Sequence, residues 1–345
     1  MVAKGHSVTC YNRRGHHVSG KKYDDEKLKE YDGVILKSVF TVKKRGLAAM
    51  SASFFAAVRA AFGGYDIVHF HAEGPCAMLW LPKLFGKRCI ATIHGLDHQR
   101  AKWGAFASWY LRLGEKCAVK YADEIIVLSR NVQDYFLEQH GRQTVYIPNG
   151  VEIREGVEAE IIREKYGLEK DSYILFLGRI VPEKGVRCLI EAFKGMQTDK
   201  KLVIAGGSSD TVAFENEMRS LAADDDRIVF TGFVQGRELE ELYSNSYLYV
   251  LPSTLEGMPL SLLEAMSYGN CVVVSDIPEC AEVVGDSGVV VRREDIDELR
   301  DSLRRLCDDP DEVVRLRAFA IERVREDHDW DEITDRILHI YGDKK

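Results

Sequence analysis

The chemically richest stretch of the chain is Pro252-Ser253-Thr254-Leu255-Glu256-Gly257-Met258-Pro259-Leu260-Ser261-Leu262-Leu263-Glu264-Ala265. Two carboxylates stand eight residues apart, with a glycine and a proline between them. Pro259 suits the first turn of a helix, where its missing N–H costs little. Such a helix offers unpaired N–H groups near Leu260 and Ser261 to an anion. Glu264 falls in an otherwise apolar helical run, Leu260–Met266, and a carboxylate buried there without a partner is costly. Eight residues of continuous helix span about 12 Å. That exceeds the roughly 6.5–9.5 Å between the carboxylates of inverting glycosidases. The pair therefore fits two parts of one long ligand better than one acid–base couple. Diol recognition is the natural use of such a carboxylate. A purely structural partner for Glu264, backbone or arginine, is the competing reading.

A second cluster, Gly178-Arg179-Ile180-Val181-Pro182-Glu183-Lys184-Gly185, follows the apolar run Tyr173–Leu177. Two cations five positions apart, in a loop that leads into a helix, make a diphosphate site. The same spacing also fits a solvated turn. In the first half, Thr92-Ile93-His94-Gly95-Leu96-Asp97 ends a strand in a histidine followed by glycine. Glycine lets a ligand approach the backbone, although His94 serves equally well as a structural imidazole. His69 and His71 share one face of a strand. No nearby carboxylate or cysteine completes a metal set there, so no metal site is read.

The elements that must position these residues alternate along the whole chain. Strands are expected at Val34–Phe40, Asp66–His71, Arg88–Ile93, Glu124–Leu128 and Thr144–Ile147. A second series follows at Tyr173–Leu177, Lys201–Ala205, Arg227–Thr231, Leu248–Leu251 and Cys271–Ser275. Helical patterns separate them, among them Leu47–Phe62, Trp103–Tyr121, Val186–Lys194 and Leu260–Tyr268. Runs such as Ile125–Leu128 and Val272–Val274 are apolar on both faces. Strands of that kind alternating with helices imply parallel sheets covered on both sides. The expected fold class is α/β, with two Rossmann-like domains facing each other across a cleft. Pro148-Asn149-Gly150 breaks the pattern. It divides residues 1–150 from 151–325, and residues 326–345 are read as a helix packing back on the first domain. Ligands of open parallel sheets bind beyond the carboxyl ends of the strands, which is where the singled-out residues stand.

Composition narrows the class. With 345 residues, 46% hydrophobic and 30% charged, the chain is neither disordered, collagen-like nor coiled coil. No apolar stretch reaches membrane-spanning length. Met1–His6 carries no secretory signal, and eight scattered cysteines without a C-x-x-C pair suit reduced thiols in a cytoplasmic protein. The net charge of −8 hides an asymmetry: residues 1–150 hold 22 Lys and Arg against 13 Asp and Glu, and the remainder 25 against 42. The acidic half argues against a nucleic-acid partner. The basic half suits an anionic membrane surface or a phosphate-bearing substrate. Leu47–Phe62, whose one charge is Arg59, reads either as a helix lying on a bilayer surface or as a core helix packed on the sheet.

Together these motifs resemble family 4 retaining glycosyltransferases of the GT-B fold. The resemblance rests on Gly178-Arg179…Lys184-Gly185, Ile204-Ala205-Gly206-Gly207, Thr231-Gly232-Phe233-Val234, Ile147-Pro148-Asn149-Gly150-Val151 and the E-x7-E run from Glu256 to Glu264. It covers essentially the whole chain. His69-Phe70-His71-Ala72-Glu73-Gly74-Pro75 and Thr92–Asp97 look like the subgroup of capsule rhamnosyltransferases. The resemblance implies transfer of a hexose from a dTDP-, UDP- or GDP-sugar to a saccharide acceptor, lipid-linked at the cytoplasmic face of the membrane, with no cofactor. It implies that Arg179 and Lys184 neutralise the leaving diphosphate in place of a metal ion, and that Glu264 holds the ribose. Gly178, Pro259, Leu260 and Ser261 would line the donor site, and Glu256, Gly257 and Met258 would hold the donor sugar. Phe233 and Val234 would meet the base and His94 would reach the donor sugar. Asp97 and Trp103 would lie on the acceptor side. Family members open with a strand and a Gly-rich loop before their first helix. Met1–Val8 reads as the end of that helix and the start of the next strand, so about 30 residues, one strand–loop–helix unit, are expected to be missing. Alternatives from other classes are a nucleotide-sugar binder without turnover and a GT-B epimerase.

Overall fold

The computed structural model describes residues 1–14, 28–42, 44, 46–96, 98, 104–207 and 212–342. Asp97 and Trp103 lie outside the described residues. The chain divides into two units, residues 1–148 together with the segment from Thr334 onward, and Asn149–Ile333.

In the first unit, β1 (Thr9–Arg13), β2 (Glu30–Tyr31) and β3 (Val34–Val39) form one sheet in the order β1-β3-β2. β1 and β3 are parallel, and β2 runs antiparallel. A second, wholly parallel sheet contains β4 (Ile67–His71), β5 (Arg88–Ile93), β6 (Glu124–Val127) and β7 (Val145–Tyr146), in that order. The sequence led to one parallel sheet here; the described residues form two, with β1 and β4 at their rims. β5 and β6 are buried through most of their length, which explains their unbroken apolar runs. The helix Leu47–Phe62 buries Ala52, Ala57, Ala60 and Ala61 and leaves Phe54, Phe55 and Phe62 exposed. Its small residues pack and its large ones face outward, so neither a plain core helix nor an idle surface describes it. The helix Trp330–Gly342 contributes to this unit through Tyr341, whose hydroxyl lies 2.6 Å from His69 Nδ1, and through the Ile340 carbonyl, which accepts from Arg88 at 2.8 Å.

The second unit is built on one six-stranded sheet. Its strands are β8 (Tyr173–Leu177), β9 (Lys201–Ala205), β10 (Ile228–Gly232), β11 (Leu248–Leu251), β12 (Cys271–Ser275) and β13 (Val289–Val291). The order is β10-β9-β8-β11-β12-β13, and every pairing is parallel. β11 and β12 are buried at every position. β13 and the helix Pro278–Val284 have no counterpart in the sequence reading: three valines and seven residues are too short for a periodic signal. Strand order reverses between β8 and β11. That switch point opens a crevice at the carboxyl ends of the two strands, and the loops that follow them are residues 178–185 and 252–259.

Candidate active site

Both loops at the switch point are held by their own backbones. The Thr254 N–H donates to the Glu183 carbonyl at 2.9 Å. Gly185 adopts φ +69°, and a Cβ built on it would stand 2.0 Å from the Pro252 carbonyl oxygen. Only glycine lets the loops come this close. Gly185→Ala is therefore expected to destabilise the fold by more than the roughly 1–2 kcal/mol that a left-handed residue costs by itself. Urea denaturation checks this; an unchanged midpoint would contradict it.

Across this junction Lys184 Nζ meets Glu256 Oε1 at 2.5 Å, with side chains 13% and 8% exposed. Ser253 Oγ donates to the same Glu256 oxygen at 2.6 Å, and Ser275 Oγ donates to the Ser253 carbonyl. Lys184 thus leans over the site with its charge already matched, and Glu256 is fixed from two sides. Arg179, five residues earlier, is exposed and makes no ion pair among the described residues. Gly178 lies beneath: its N–H donates to the Ala205 carbonyl at 3.0 Å, and a Cβ built on Gly206, at φ +126°, would strike the Gly178 carbonyl at 1.9 Å.

The helix Leu260–Ser267 starts after Pro259, whose φ −76° and ψ 106° are extended. Pro259 is thus the residue before the helix rather than a member of its first turn, because its carbonyl must accept the first helical bonds. Leu262 and Leu263 donate to it at 3.1 and 3.3 Å. The Leu260 and Ser261 amides precede those bonds and have no acceptor within the helix. Gly257 and Met258 are buried in the loop, and Leu260 is exposed. Glu256 belongs to the loop and Glu264 to the helix, so the span of a continuous helix does not apply to them.

Glu264 Oε2 accepts from the Tyr243 hydroxyl at 2.9 Å. Tyr243 stacks on Tyr268 with ring centroids 5.4 Å apart. Burial raises the Glu264 carboxyl above its ordinary range, while the Tyr243 hydrogen bond and the Arg154 charge oppose that. The partner is a phenol, neither the backbone nor the arginine contact that the sequence offered as alternatives. Tyr249, wholly buried in β11, donates to Ser261 Oγ at 2.9 Å and lies 3.2 Å from the Leu177 carbonyl. It ties the end of β8 to the helix start. Tyr243, Tyr249 and Ser253 escaped the sequence reading. For Tyr249 the available signal was a tyrosine inside an apolar strand, because a buried phenol requires a polar partner. Phe233 is exposed at the end of β10, and Val234 beside it is buried.

His94 lies in the first unit, where its Nε2 is 3.1 Å from His71 Nδ1. His69 and His71 stack with centroids 4.3 Å apart. Burial, and then the charges of His71 and His94, hold the His69 pKa well below its ordinary value.

The first unit and the second match two family descriptions, Glycosyltransferase Family 4 over residues 1–155 and Glycosyl transferases group 1 over residues 158–323. An uncharacterized glycosyltransferase of Methanocaldococcus jannaschii is 30% identical over 303 residues, covering 80% of this chain and 75% of that protein. O-antigen chain mannosyltransferase B of Escherichia coli is 29% identical over 204 residues, 57% of this chain and 51% of the other. Among solved structures, Anabaena HepE in complex with UDP and glucose superposes with a TM-score of 0.79 at 18% identity, covering 90% of this chain and 87% of that one. Parallel sheets in two Rossmann-like units, with a switch-point site in the second, define an enzyme of the GT-B fold. The chain belongs to the group 1, family 4 glycosyltransferases, which transfer a sugar from a nucleotide sugar.

Proposed function

We propose that the enzyme moves a hexose, with retention of configuration, from a nucleoside diphosphate sugar to a lipid-linked saccharide during surface polysaccharide synthesis. L-Rhamnose from dTDP-rhamnose is the donor that the motifs His69–Pro75 and Thr92–Asp97 suggest. The observation that carries the reading is the junction, at the switch point, of the two loops that carry Lys184 and Glu256, with Arg179 exposed in the first loop and the helix that begins at Leu260 following the second. The transition state of such a transfer is a cationic sugar beside a departing diphosphate. Its main requirement is preorganised positive charge at the leaving group. Arg179, Lys184 and the amides of Leu260 and Ser261 supply that charge, and no metal ion takes part in the step. Glu256 and the backbone of Gly257 and Met258 hold the donor sugar, Phe233 and Val234 flank the base, and His94 is assigned a role toward the sugar. Asp97 and Trp103 serve the acceptor.

In this reading Glu264 accepts from the ribose hydroxyls. Glu264→Gln is expected to weaken donor binding by about 10–100-fold, the worth of a hydrogen bond to a charged group. The raised carboxyl sets a pH dependence. Its folded pKa lies above its unfolded one, so its contribution to stability is full at acid pH and is lost as pH rises through the folded value. Donor affinity runs the other way: it falls on acidification, sooner than an ordinary glutamate would dictate. Calorimetric titration of UDP or dTDP across mildly acidic to neutral pH reads the affinity, and urea denaturation over the same range reads the stability. An affinity that is flat with pH in the wild type would contradict the first.

The acceptor proposal draws on the basic charge of residues 1–150 and on the outward phenylalanines. Phe54, Phe55 and Phe62 are 39%, 37% and 71% exposed. Phe40 meets Phe55 at 5.2 Å and Phe62 meets Phe85 at 4.5 Å between centroids, which gives Phe55 and Phe62 an exposed aromatic neighbour each. No helix among the described residues is long and apolar enough to cross a membrane. Cosedimentation with anionic vesicles at low salt is the test. The paired substitution Phe54→Ser, Phe55→Ser is expected to weaken binding at least about tenfold, given roughly 1.5–3 kcal/mol per buried phenylalanine. Absence of wild-type binding would remove the membrane element. Donor identity is tested by thermal shift with dTDP, UDP and GDP, followed by product formation from the matching sugar nucleotide. Turnover without any acceptor would favour an epimerase instead.

A further inference from the structure

We propose that the first unit holds a divalent transition-metal site, best matched to zinc, formed by Glu73, His98 and Glu115 and separate from the donor chemistry. The three side chains are 0%, 8% and 4% exposed. His98 Nδ1 lies 3.2 Å from Glu73 Oε1 and 3.5 Å from Glu115 Oε2, and all three donor atoms fall within 4.8 Å of one another. Donor atoms around a tetrahedral ion with bonds of about 2.0–2.1 Å stand about 3.3 Å apart, so both spacings are close to a coordination edge. A ring nitrogen carries at most one hydrogen and directs it at one oxygen. An ion at the shared point bonds to all three donors at once.

The backbone forces this convergence. Glu73 opens the short helix Glu73–Cys76, and Glu115 lies in the helix Ala105–Tyr121. A Cβ built on the neighbouring Gly114 would stand 1.8 Å from the Glu73 carbonyl oxygen. Glycine at 114 thus presses the two helices into backbone contact and sets two buried carboxylates side by side. Such carboxylates repel unless positive charge lies between them; His98 faces both and His140 faces Glu115, and a bound ion would add to that charge. The surrounding groups orient the donors. His140 Nε2 is 2.7 Å from Glu115 Oε1, the Tyr135 hydroxyl is 3.3 Å from both Glu115 oxygens, and the His98 backbone N–H donates to Glu73 Oε2 at 3.2 Å. Outer partners of this kind fix ligating carboxylates in metal sites. One imidazole with two carboxylates suits zinc, manganese or iron, with zinc the tightest binder of the three. Three protein donors leave a fourth position for water. The ion would tie His98 to both helices.

The test uses the untagged full-length chain after chelator treatment, titrated with zinc ions by calorimetry, with metal content measured after buffer exchange. One ion per chain and a saturable rise in Tm are expected. Glu115→Gln and His98→Ala should each weaken binding more than about 100-fold, and His140→Ala about 10–100-fold. His71→Ala, in the separate histidine group, should leave zinc affinity unchanged. Absence of saturable zinc binding, retention of full affinity in Glu115→Gln, or loss of zinc in His71→Ala would each overturn the site. If Glu115→Gln does not fold, the wild-type stoichiometry and the His140→Ala affinity decide. None of these readouts depends on transferase activity, so failure of the site and failure of the proposed reaction are distinguishable.

Discussion

Lys184→Ala is expected to lower kcat about 10²–10³-fold at saturating donor, the usual cost of removing one preorganised group that faces developing charge. The side chain is well placed for that effect. It projects from the loop after β8, it is largely buried, and Glu256 holds it at 2.5 Å. Little reorganisation is then needed when the diphosphate departs. The loss should appear in kcat more than in KM, because the charge it stabilises grows during the reaction. Lys184→Arg keeps the charge and alters its reach, so it should recover part of the rate. Steady-state kinetics on folded variants read all of this. A wild-type kcat in Lys184→Ala would remove the leaving-group role.

Glu256→Gln is expected to fall by a similar factor, for a related reason. The substitution removes the charge that positions Lys184 and leaves the ammonium 13% exposed beside a neutral amide. Breaking a poorly exposed pair by deleting one partner costs more than the pair contributes net. The Ser253 hydrogen bond survives in part, because an amide oxygen still accepts. The double variant Lys184→Ala, Glu256→Gln separates coupling from independent action. If the two residues work as one unit, its rate should lie close to that of the worse single variant, well above the product of the two losses. Strict multiplicativity would mean that Glu256 acts on the donor sugar without help from Lys184.

Most of the second unit was legible in the sequence because its strands are buried on both faces. Tyr173–Leu177, Lys201–Ala205, Leu248–Leu251 and Cys271–Ser275 stand where their apolar runs end. The singled-out cations and carboxylates follow two of those ends directly. Spacing could not tell that the loops after β8 and β11 are neighbours, since that depends on strand order. Nor could it supply Tyr243, twenty-one residues from its partner Glu264. In the first unit, His69 and His71 drew attention because they alternate on one strand. The mixed carboxylate–histidine group formed elsewhere, from Glu73, His98 and Glu115. These residues come from three segments, and the glycine that brings two of them together leaves no periodic trace. The Leu47–Phe62 helix was ambiguous because alanine and phenylalanine count alike as apolar, although only the alanines are small enough to pack closely.

The rims of the two sheets in the first unit carry a consequence for handling the protein. Among the described residues, no strand completes the free side of Thr9–Arg13 or of Ile67–His71. An unpaired strand edge is a template for any extended peptide that approaches. Concentrated solutions should therefore be prone to self-association through these seams.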